Sequence, residues 1–320
     1  MLEILNGGTQ STLQDAGRPG HRHAGIPSGG AADRLNFALA NWSVGNAWDA
    51  VAIECAMGGL HIKFHKDTII SICGAKMWAQ INGTSFQNFK PTSVSKGDIL
   101  TLSYARNGCR AYIAVAGGLK GDNFLGSVAT YIPAKIGGLD GTALKAGDHI
   151  SIADNPYGPT RRFPNGYVPR LSQHIVLRVL AGPEFEQLTP ESQRQLFVGL
   201  FEATAQTDRM GARIKGANTK DIRILPTEPI SMVSSPLLSG TLQVPPDGLP
   251  ILSLIDGHCT GGYLRALQVI RADLWQMGQI GPGTRVSFRR CFAPEPLQIL
   301  KGRNAFYGAE YGGLIDGFAF

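Results

Sequence analysis

Short runs of alternating apolar and polar residues recur along this chain, and turn residues bound most of them. They include LHIKFH, TIISIC, ILTLSY and AYIAVAGG in the first half, and TLQV, ILSLI and ALQVI in the second. A period of two is typical of half-buried β-strands, whereas amphipathic helices have a period near 3.6. The pattern therefore predicts a mainly β protein.

A few short segments have helical spacing instead. In DRLNFALANWSVG the apolar residues share one face, Asp33 is suited to cap the first turn, and Gly45 is suited to end the helix. LTPESQRQLF predicts a second helix with Thr189 at its N-cap, and ADLWQMG predicts a third. We expect a few short helices within the β fold.

A glycine turn followed by apolar residues two positions apart occurs three times, as SKGDILTL, KAGDHISI and GPGTRVSF. Each copy is typical of a turn that enters a half-buried strand, and its return late in the chain indicates two related β-barrel domains. The proline-rich stretch ADNPYGPTRRFPNGYVPRLSQ is typical of an interdomain connection. The predicted division is an N-terminal β-rich domain with one helix (residues 1–155), a linker (156–173), a C-terminal barrel (174–291) and a tail (292–320).

Composition narrows the functional class. With 320 residues and 43% hydrophobic content, the chain can bury a large core. The net charge is +6, but the arginine pairs lack interleaved aromatic residues, so we expect no nucleic-acid partner. The N-terminus has no basic region followed by a long apolar run, and no window approaches eighteen apolar residues. We therefore expect a cytoplasmic protein without a membrane partner.

The common catalytic and metal-binding motifs are absent from the sequence. No P-loop, dinucleotide-binding glycine pattern or HExxH is present, and the five cysteines form no CxxC pair. HRH at residues 21–23 lacks an identifiable third ligand, so no metal site is predicted. Reduced thiols, most of them in the core, fit the scattered cysteines best.

The first candidate site is the loop TLQDAGRPGHRHAGIPSGGAADR, which has almost no apolar residue to bury. Arg18 could clamp a carboxylate or phosphate, and backbone N–H groups at the following helix could receive an anion. Alternatively, Asp15 and Arg18 brace the loop and Asp33 only caps the helix. The candidates in this loop are Gln14, Asp15, Arg18, Ser28, Gly29 and Asp33.

Two further polar segments contain glycine. In QTDRMGARIKG, Asp208 and Arg209 are adjacent, so at most one of them points into a given pocket, and a simple surface turn is the alternative. In DGHCTGGYLR, glycines would let a ligand approach backbone N–H donors, while Cys259 fits a packed thiol better than a nucleophile. The candidates in this third segment are Thr260, Gly261, Gly262 and Tyr263. We predict that the three segments converge on one anion-binding surface.

Six ordered stretches of the chain resemble one family, the biotin-dependent carboxyltransferases or allophanate hydrolase subunit 2 proteins. They are TLQDAGRPGHRHAGIPSGGAADRLNFALANWSVGN, AYIAVAGG, GGLDGTALKAGD, TDRMGARIKG, QVPPDGLPI and TGGY. Within the family, a free-standing chain of this length is similar to the C subunits of bacterial 5-oxoprolinases. The resemblance implies two cyclophilin-like β-barrels.

The resemblance also implies an activity and partners. A 5-oxoprolinase uses ATP, with Mg, to open 5-oxoproline to glutamate. It needs A and B subunits as well, the second of which is like allophanate hydrolase subunit 1. Arg18 and Arg209 would donate to phosphate and carboxylate groups, and Asp15 or Asp208 would orient a base or a metal-bound nucleotide. The other candidates would bind the small-molecule substrate. A homodimer of this chain is a further possible assembly.

Two other functions are known in the family. A biotin-dependent carboxyltransferase would transfer a carboxyl group to urea or a related amide, although the chain has no carrier lysine motif. A non-enzymatic member would antagonise a histidine-kinase inhibitor. The chain also departs from the family pattern after TGGY, where Leu264 replaces the usual proline before the basic residue, here Arg265. This departure affects the identity of the substrate more than the fold.

Overall fold

The computed structural model describes residues 1–163, 166–218, 221–229 and 231–311. These residues form two compact units. The first contains Met1–Arg18, Gly29–Leu171 and residues 306–311, and the second contains Pro19–Ser28 and Ser172–Ala305. The four-part domain division stays a prediction. Residues 164–165 of the predicted linker and 312–320 of the predicted tail lie outside the described residues.

The described residues of the first unit contain eleven strands and one complete α-helix. In chain order they are β1 (Leu2–Gly7), β2 (Gln10–Gln14), α1 (Arg34–Ser43), β3 (Ala52–Ala56), β4 (Leu60–Phe64), β5 (Thr68–Lys76), β6 (Ala79–Ile81), β7 (Thr84–Phe86), β8 (Thr92–Val94), β9 (Ile99–Leu102), β10 (Asn107–Val115) and β11 (His149–Ile150). Six strands form one sheet in the order β11-β1-β4-β9-β6-β7, and five form another in the order β2-β3-β10-β5-β8.

Both sheets of the first unit contribute to one apolar core. Leu2 and Phe64 enter it from the six-stranded sheet, and Leu13, Ile72 and Ile113 enter it from the five-stranded sheet. The described strands of this unit form two open sheets, so the prediction of a barrel in this half was wrong. Alternation determines which face of a strand is buried, but it does not determine whether the edge strands of a sheet pair with each other.

Helix α1 lies across the five-stranded sheet, against β5 and β10. Its predicted N-cap is confirmed, because the Asp33 carboxylate accepts a hydrogen bond from the Asn36 backbone N–H at 3.0 Å. Gly45 follows the helix with φ 79°, and a Cβ there would lie 2.2 Å from the Gly158 carbonyl oxygen. Both the backbone conformation and the close approach therefore require glycine at this position.

The second unit is built around a closed barrel. Its elements are β12 (His174–Ala181), α2 (Pro190–Val198), β13 (Phe201–Thr207), β14 (Gly211–Gly216), β15 (Ser235–Pro236), β16 (Thr241–Val244), β17 (Ile251–Ser253), β18 (Thr260–Gly261), β19 (Leu264–Val269), α3 (Leu274–Met277) and β20 (Arg285–Arg290). The barrel order is β12-β19-β16-β17-β14-β13-β20, and the parallel pair β12 and β20 closes it. Helix α4 (Glu295–Tyr311) follows, within the predicted tail.

The mainly β architecture with a few helices is thus confirmed, with one closed barrel and not two among the described strands. Thr189 caps α2 as predicted, accepting a hydrogen bond from the Ser192 backbone N–H at 3.1 Å. The five cysteines are free, and four of them are buried. Burial raises the pKa of the Cys55 thiol to about 11, so that thiol stays protonated. No helix in the described part of the chain is long and apolar enough to cross a membrane.

Candidate functional site

The first group of predicted site residues lies in the first unit, at the end of β2. The Asp15 carboxylate accepts hydrogen bonds from the Gly17 backbone N–H at 2.7 Å, the Ser127 hydroxyl at 2.6 Å and the Val128 backbone N–H at 2.6 Å. These hydrogen bonds join the loop that contains Asp15 to residues 127–128. Asp15 therefore fixes the local backbone here.

Arg18 and Gln14 bind the same neighbouring segment. The Arg18 side chain is only 1% exposed, and its guanidinium donates to the carbonyl oxygens of Phe124 and Ala129. The Gln14 amide donates to the Thr130 carbonyl oxygen at 3.2 Å. Together with Asp15, these side chains determine the path of residues 124–130, a segment that was not predicted to belong to the site.

A buried polar network supports the start of α1. The Glu54 carboxylate accepts from the Ala32 backbone N–H and the Tyr112 hydroxyl, both at 2.9 Å. It also forms an ion pair with Arg110 at 3.4 Å, and the Tyr112 oxygen accepts from the Asp33 backbone N–H at 2.7 Å. Burial and the nearby carboxylates of Glu54 and Asp33 raise the pKa of Tyr112 well above its ordinary value. The phenol is therefore a neutral donor.

Glu54, Arg110 and Tyr112 were not predicted from the sequence as residues of this region. The available signal was a charged residue inside an apolar strand, in AIECA and in CRAYIAV. A charge in such a position is seldom buried unless it is paired. The register of the sheet places Tyr112 opposite Glu54, which explains how residues far apart in sequence meet.

Ser28 and Gly29, which precede α1, differ in burial and in the unit to which they belong. Ser28 is half-buried, in the second unit, while Gly29 is buried, in the first. Gly30 has φ 86°, and a Cβ there would lie 2.8 Å from the backbone of Ala16 and Gly17. The close approach of these two backbone segments therefore explains one glycine of the loop.

Removing the α1 cap is expected to be more costly than removing the α2 cap. Asp33→Ala should lower the free energy of unfolding by about 2 kcal/mol, and Thr189→Ala by about 1 kcal/mol. The larger loss is expected because the fully buried Asp33 carboxylate also accepts from the Asn36 side-chain amide at 2.6 Å. Urea unfolding of both variants measures the difference. A smaller loss for Asp33→Ala than for Thr189→Ala would contradict this account.

The second group lies in the second unit, at the β13–β14 turn. Arg209 is 6% exposed and makes a bidentate contact with Asp256, with Nε–Oδ2 and Nη2–Oδ1 distances of 2.7 and 3.0 Å. The neighbouring Asp208 is exposed, and its carboxylate accepts from the Met210 and Gly211 backbone N–H groups. The two adjacent side chains thus face opposite ways, as expected. The buried partner Asp256 was not identified from the sequence.

The TGGY segment lies on the same unit. Strand β18 pairs with β15 in a ribbon of only two residue pairs, and Thr260, Gly262 and Tyr263 are exposed beside it. A Cβ on Gly261 would lie 2.6 Å from both Gln243 Nε2 and Leu237 Cδ1. Close packing therefore explains this glycine.

One residue of the opening loop connects to the TGGY segment. Arg22, which belongs to the second unit, donates to the Leu237 carbonyl oxygen at 2.5 Å and to the His258 carbonyl oxygen at 3.1 Å. The loop was predicted to contribute to the site, but this arginine was not among its candidates. The Arg22 side chain therefore joins the first predicted segment to the backbone of the third at His258, while the convergence of all three segments stays a prediction.

Comparison with known proteins identifies the family. A family model described as the carboxyltransferase domain, subdomain A and B, matches residues 24–290. The chain belongs to this family. Among curated carboxyltransferase-domain relatives, the C subunit of 5-oxoprolinase from Escherichia coli (strain K12) is 33% identical, with 96% of each chain covered. The C subunit of the Haemophilus influenzae 5-oxoprolinase is 31% identical, with 99% of each chain covered.

The solved structure of a urea amidolyase has the same fold. The urea amidolyase of K. lactis matches 97% of this chain with a TM-score of 0.91 and 26% sequence identity. The match covers 20% of that longer chain, so this chain corresponds to about a fifth of it. The likeness supports the fold described above.

In this carboxyltransferase family member, the basic residue after TGGY has a buried partner. Arg265 donates to the Glu184 carboxylate from Nε at 2.9 Å and from Nη2 at 2.6 Å, and it also binds the Pro236 carbonyl oxygen. The hydrogen bond from Arg265 lowers the pKa of Glu184 below its ordinary value, although burial opposes the shift. Arg265 thus joins β19 to β15 and to the segment before α2.

The Glu184–Arg265 pair is expected to make stability depend on pH. Because the folded-state pKa of Glu184 lies below the ordinary 4.5, the stabilisation is complete above that pH and is lost as pH falls through the folded pKa. Urea unfolding of the wild type and Glu184→Gln should therefore differ most near neutral pH and converge in acid. Glu191→Gln is the control, because Glu191 and Arg194 form an exposed pair that contributes little. A difference that grows in acid would contradict this account.

A surface cleft of about 460 Å³ also lies on the second unit. It is lined by Glu202, Lys215, Gly216, Asn218, Asp221, Arg223 and Leu249. None of the predicted site residues lines it.

Proposed function

We propose that this chain is the C subunit of an ATP-dependent 5-oxoprolinase, which opens 5-oxoproline to glutamate together with the A and B subunits. The observation that carries the proposal is the match to two bacterial 5-oxoprolinase C subunits over nearly the whole of each chain. A match of this length supports a protein of the same kind. On this proposal the barrel is cyclophilin-like and the protein acts in the cytoplasm.

The substrate chemistry indicates what the protein must supply. 5-Oxoproline carries a carboxylate and a lactam carbonyl, and both are hydrogen-bond acceptors that need donors placed in advance. The Thr260–Tyr263 turn is proposed to receive the substrate, with Arg22 holding the neighbouring backbone carbonyls and Arg209 holding the Asp256 carboxylate. The buried contacts of Arg209 support such a positioning contribution.

The other assigned residues keep their proposed roles. Asp15, Arg18 and Asp208 complete the proposed catalytic set that includes Arg209, and Gln14, Ser28, Gly29 and Asp33 complete the substrate-binding set that includes the TGGY residues. The contacts of Asp15 and Arg18 to residues 124–130 support a contribution through the shape of that segment.

ATP and Mg are assigned to the assembled complex and not to residues of this chain. In the described ranges, no group of three or more His, Cys, Asp or Glu side chains is placed to hold a metal ion. The sequence also has no glycine-rich phosphate loop. The described residues do not fit a metal-nucleotide site, so Asp15 and Asp208 are proposed only to orient a base, and no step of the reaction is assigned to a metal-bound nucleotide.

A second candidate function is carboxyl transfer from carboxybiotin to urea or a related amide. The TM-score of 0.91 to the K. lactis urea amidolyase favours it. On this alternative, biotin would be carried by another protein. The role as antagonist of a histidine-kinase inhibitor predicts partner binding without turnover.

The test is an assay of the chain combined with its A and B subunits. We expect ATP-dependent release of glutamate from 5-oxoproline, and no release when this chain is omitted. The second arm contains urea, bicarbonate, ATP, a biotin carboxylase and its biotinylated carrier, which together generate the carboxybiotin donor. Turnover in that arm alone would favour carboxyl transfer, and partner binding without turnover in either arm would favour the antagonist.

A further inference from the structure

One buried side chain near the TGGY turn lacks an expected contact. Gln243 lies in β16, opposite Ile251 and Arg265 of the neighbouring strands, and its residue exposure is 8%. Its Nε2 has no hydrogen-bond acceptor among the residues that the structure describes. Buried amide donors are nearly always bonded, so an unbonded one needs an explanation.

The unbonded donor lies directly beneath Gly261. A Cβ on Gly261 would lie 2.6 Å from Gln243 Nε2, and Gly261 does not have a left-handed backbone. Glycine is therefore needed at this position for space and not for backbone conformation. The exposed Thr260, Gly262 and Tyr263 surround this position, so the donor lies one layer below the exposed turn.

A second glutamine in the same barrel has ordinary contacts. In β19, Gln268 Oε1 accepts from the Thr241 hydroxyl at 2.8 Å, and its Nε2 donates to the Ser239 carbonyl oxygen at 3.0 Å. The barrel can therefore satisfy a glutamine completely. The missing acceptor at Gln243 is a property of its position beneath the turn.

We propose that Gln243 is a substrate-positioning residue, whose Nε2 donates to an acceptor oxygen of 5-oxoproline bound at the Thr260–Tyr263 turn. An NH₂ group can only donate, so it selects a carboxylate or lactam carbonyl oxygen over the lactam N–H. The oxygen reaches Nε2 when the ribbon of β15 and β18, which has only two residue pairs, opens. This inference rests on the proposed function.

The experiment compares Gln243→Met with Gln268→Met in the complex with the A and B subunits. Methionine keeps the side-chain length but removes the amide. For Gln243→Met we expect the KM for 5-oxoproline to rise roughly tenfold or more, because a donor to the substrate is lost. Its melting temperature should not fall, because the removed amide donor had no partner. For Gln268→Met we expect a lower melting temperature and an unchanged KM.

Inhibition by 2-pyrrolidinone, which lacks the carboxylate, identifies the oxygen. Weaker inhibition of Gln243→Met than of the wild type would assign the contact to the lactam carbonyl, and equal inhibition would assign it to the carboxylate. An unchanged KM in Gln243→Met, with an active wild type, would overturn the inference alone. A wild-type complex without turnover of 5-oxoproline would overturn the proposed function and the inference together.

Discussion

Replacing Arg209 with alanine is expected to lower the free energy of unfolding by about 3–5 kcal/mol, because the substitution leaves a buried carboxylate without its partner. Asp256 is 2% exposed and receives two hydrogen bonds from the Arg209 guanidinium. The assembled complex should also lose turnover, since the turn that begins at Asp256 leads into the TGGY segment. Urea unfolding and the glutamate-release assay measure the two effects.

A second arginine in the same hairpin provides the matched control. Arg213 in β14 pairs with Asp247, but their side chains are 27% and 48% exposed. Arg213→Ala is expected to cost at most about 1 kcal/mol, because solvent screens such a pair. The double variant Arg209→Met with Asp256→Leu should recover most of the stability, but not the turnover. Equal losses for the two alanine variants would contradict the assigned role of the buried pair.

Replacing Glu54 with alanine is expected to have a comparable effect in the first unit, again about 3–5 kcal/mol. The carboxylate is 2% exposed, and its loss removes the partner of Arg110 and the acceptor for Ala32 and Tyr112. The start of α1 should loosen as a result. Thermal unfolding measures the loss, and hydrogen exchange of the α1 amides reports its location.

Comparing Glu54→Gln with Glu54→Ala separates the contribution of the charge from that of the hydrogen bonds at this position. Glu54→Gln keeps an acceptor oxygen but removes the charge that faces Arg110, so its stability should lie between that of the wild type and Glu54→Ala. Glu3→Ala is the surface control, because Glu3 pairs with His65 where both side chains are about a quarter to a third exposed. A wild-type stability for Glu54→Ala would refute the importance of this network.

The features that could be predicted from the sequence depend on local signals. Strand alternation and the caps at Asp33 and Thr189 depend on neighbouring residues, and each was confirmed. The number of closed barrels depends on which edge strands pair across long separations, and the prediction of two was wrong. Alternation along a strand carries no information about that pairing.

The candidate site shows the same difference between features that local sequence predicts and features that depend on distant residues. The polar loops were visible in the sequence because glycine and charge replaced apolar residues. The partners of their side chains were not visible, because Asp256 lies 47 positions from Arg209 and the carbonyls that Arg22 binds lie more than two hundred positions away. Arg22 and Gln243 could be identified as residues of the site only from the structure, because the residues near them belong to other segments of the sequence.

The parallel pairing of β12 with β20 has a consequence for synthesis of the chain. His174 pairs with Arg285 and Val179 with Arg290. After β12 is synthesised, about 110 further residues must therefore be added before β12 and β20 can pair. Until then a nascent polypeptide presents unpaired backbone groups along β12 and β13, which both pair with β20. Chains that terminate before Arg285 should therefore depend on chaperones or precipitate.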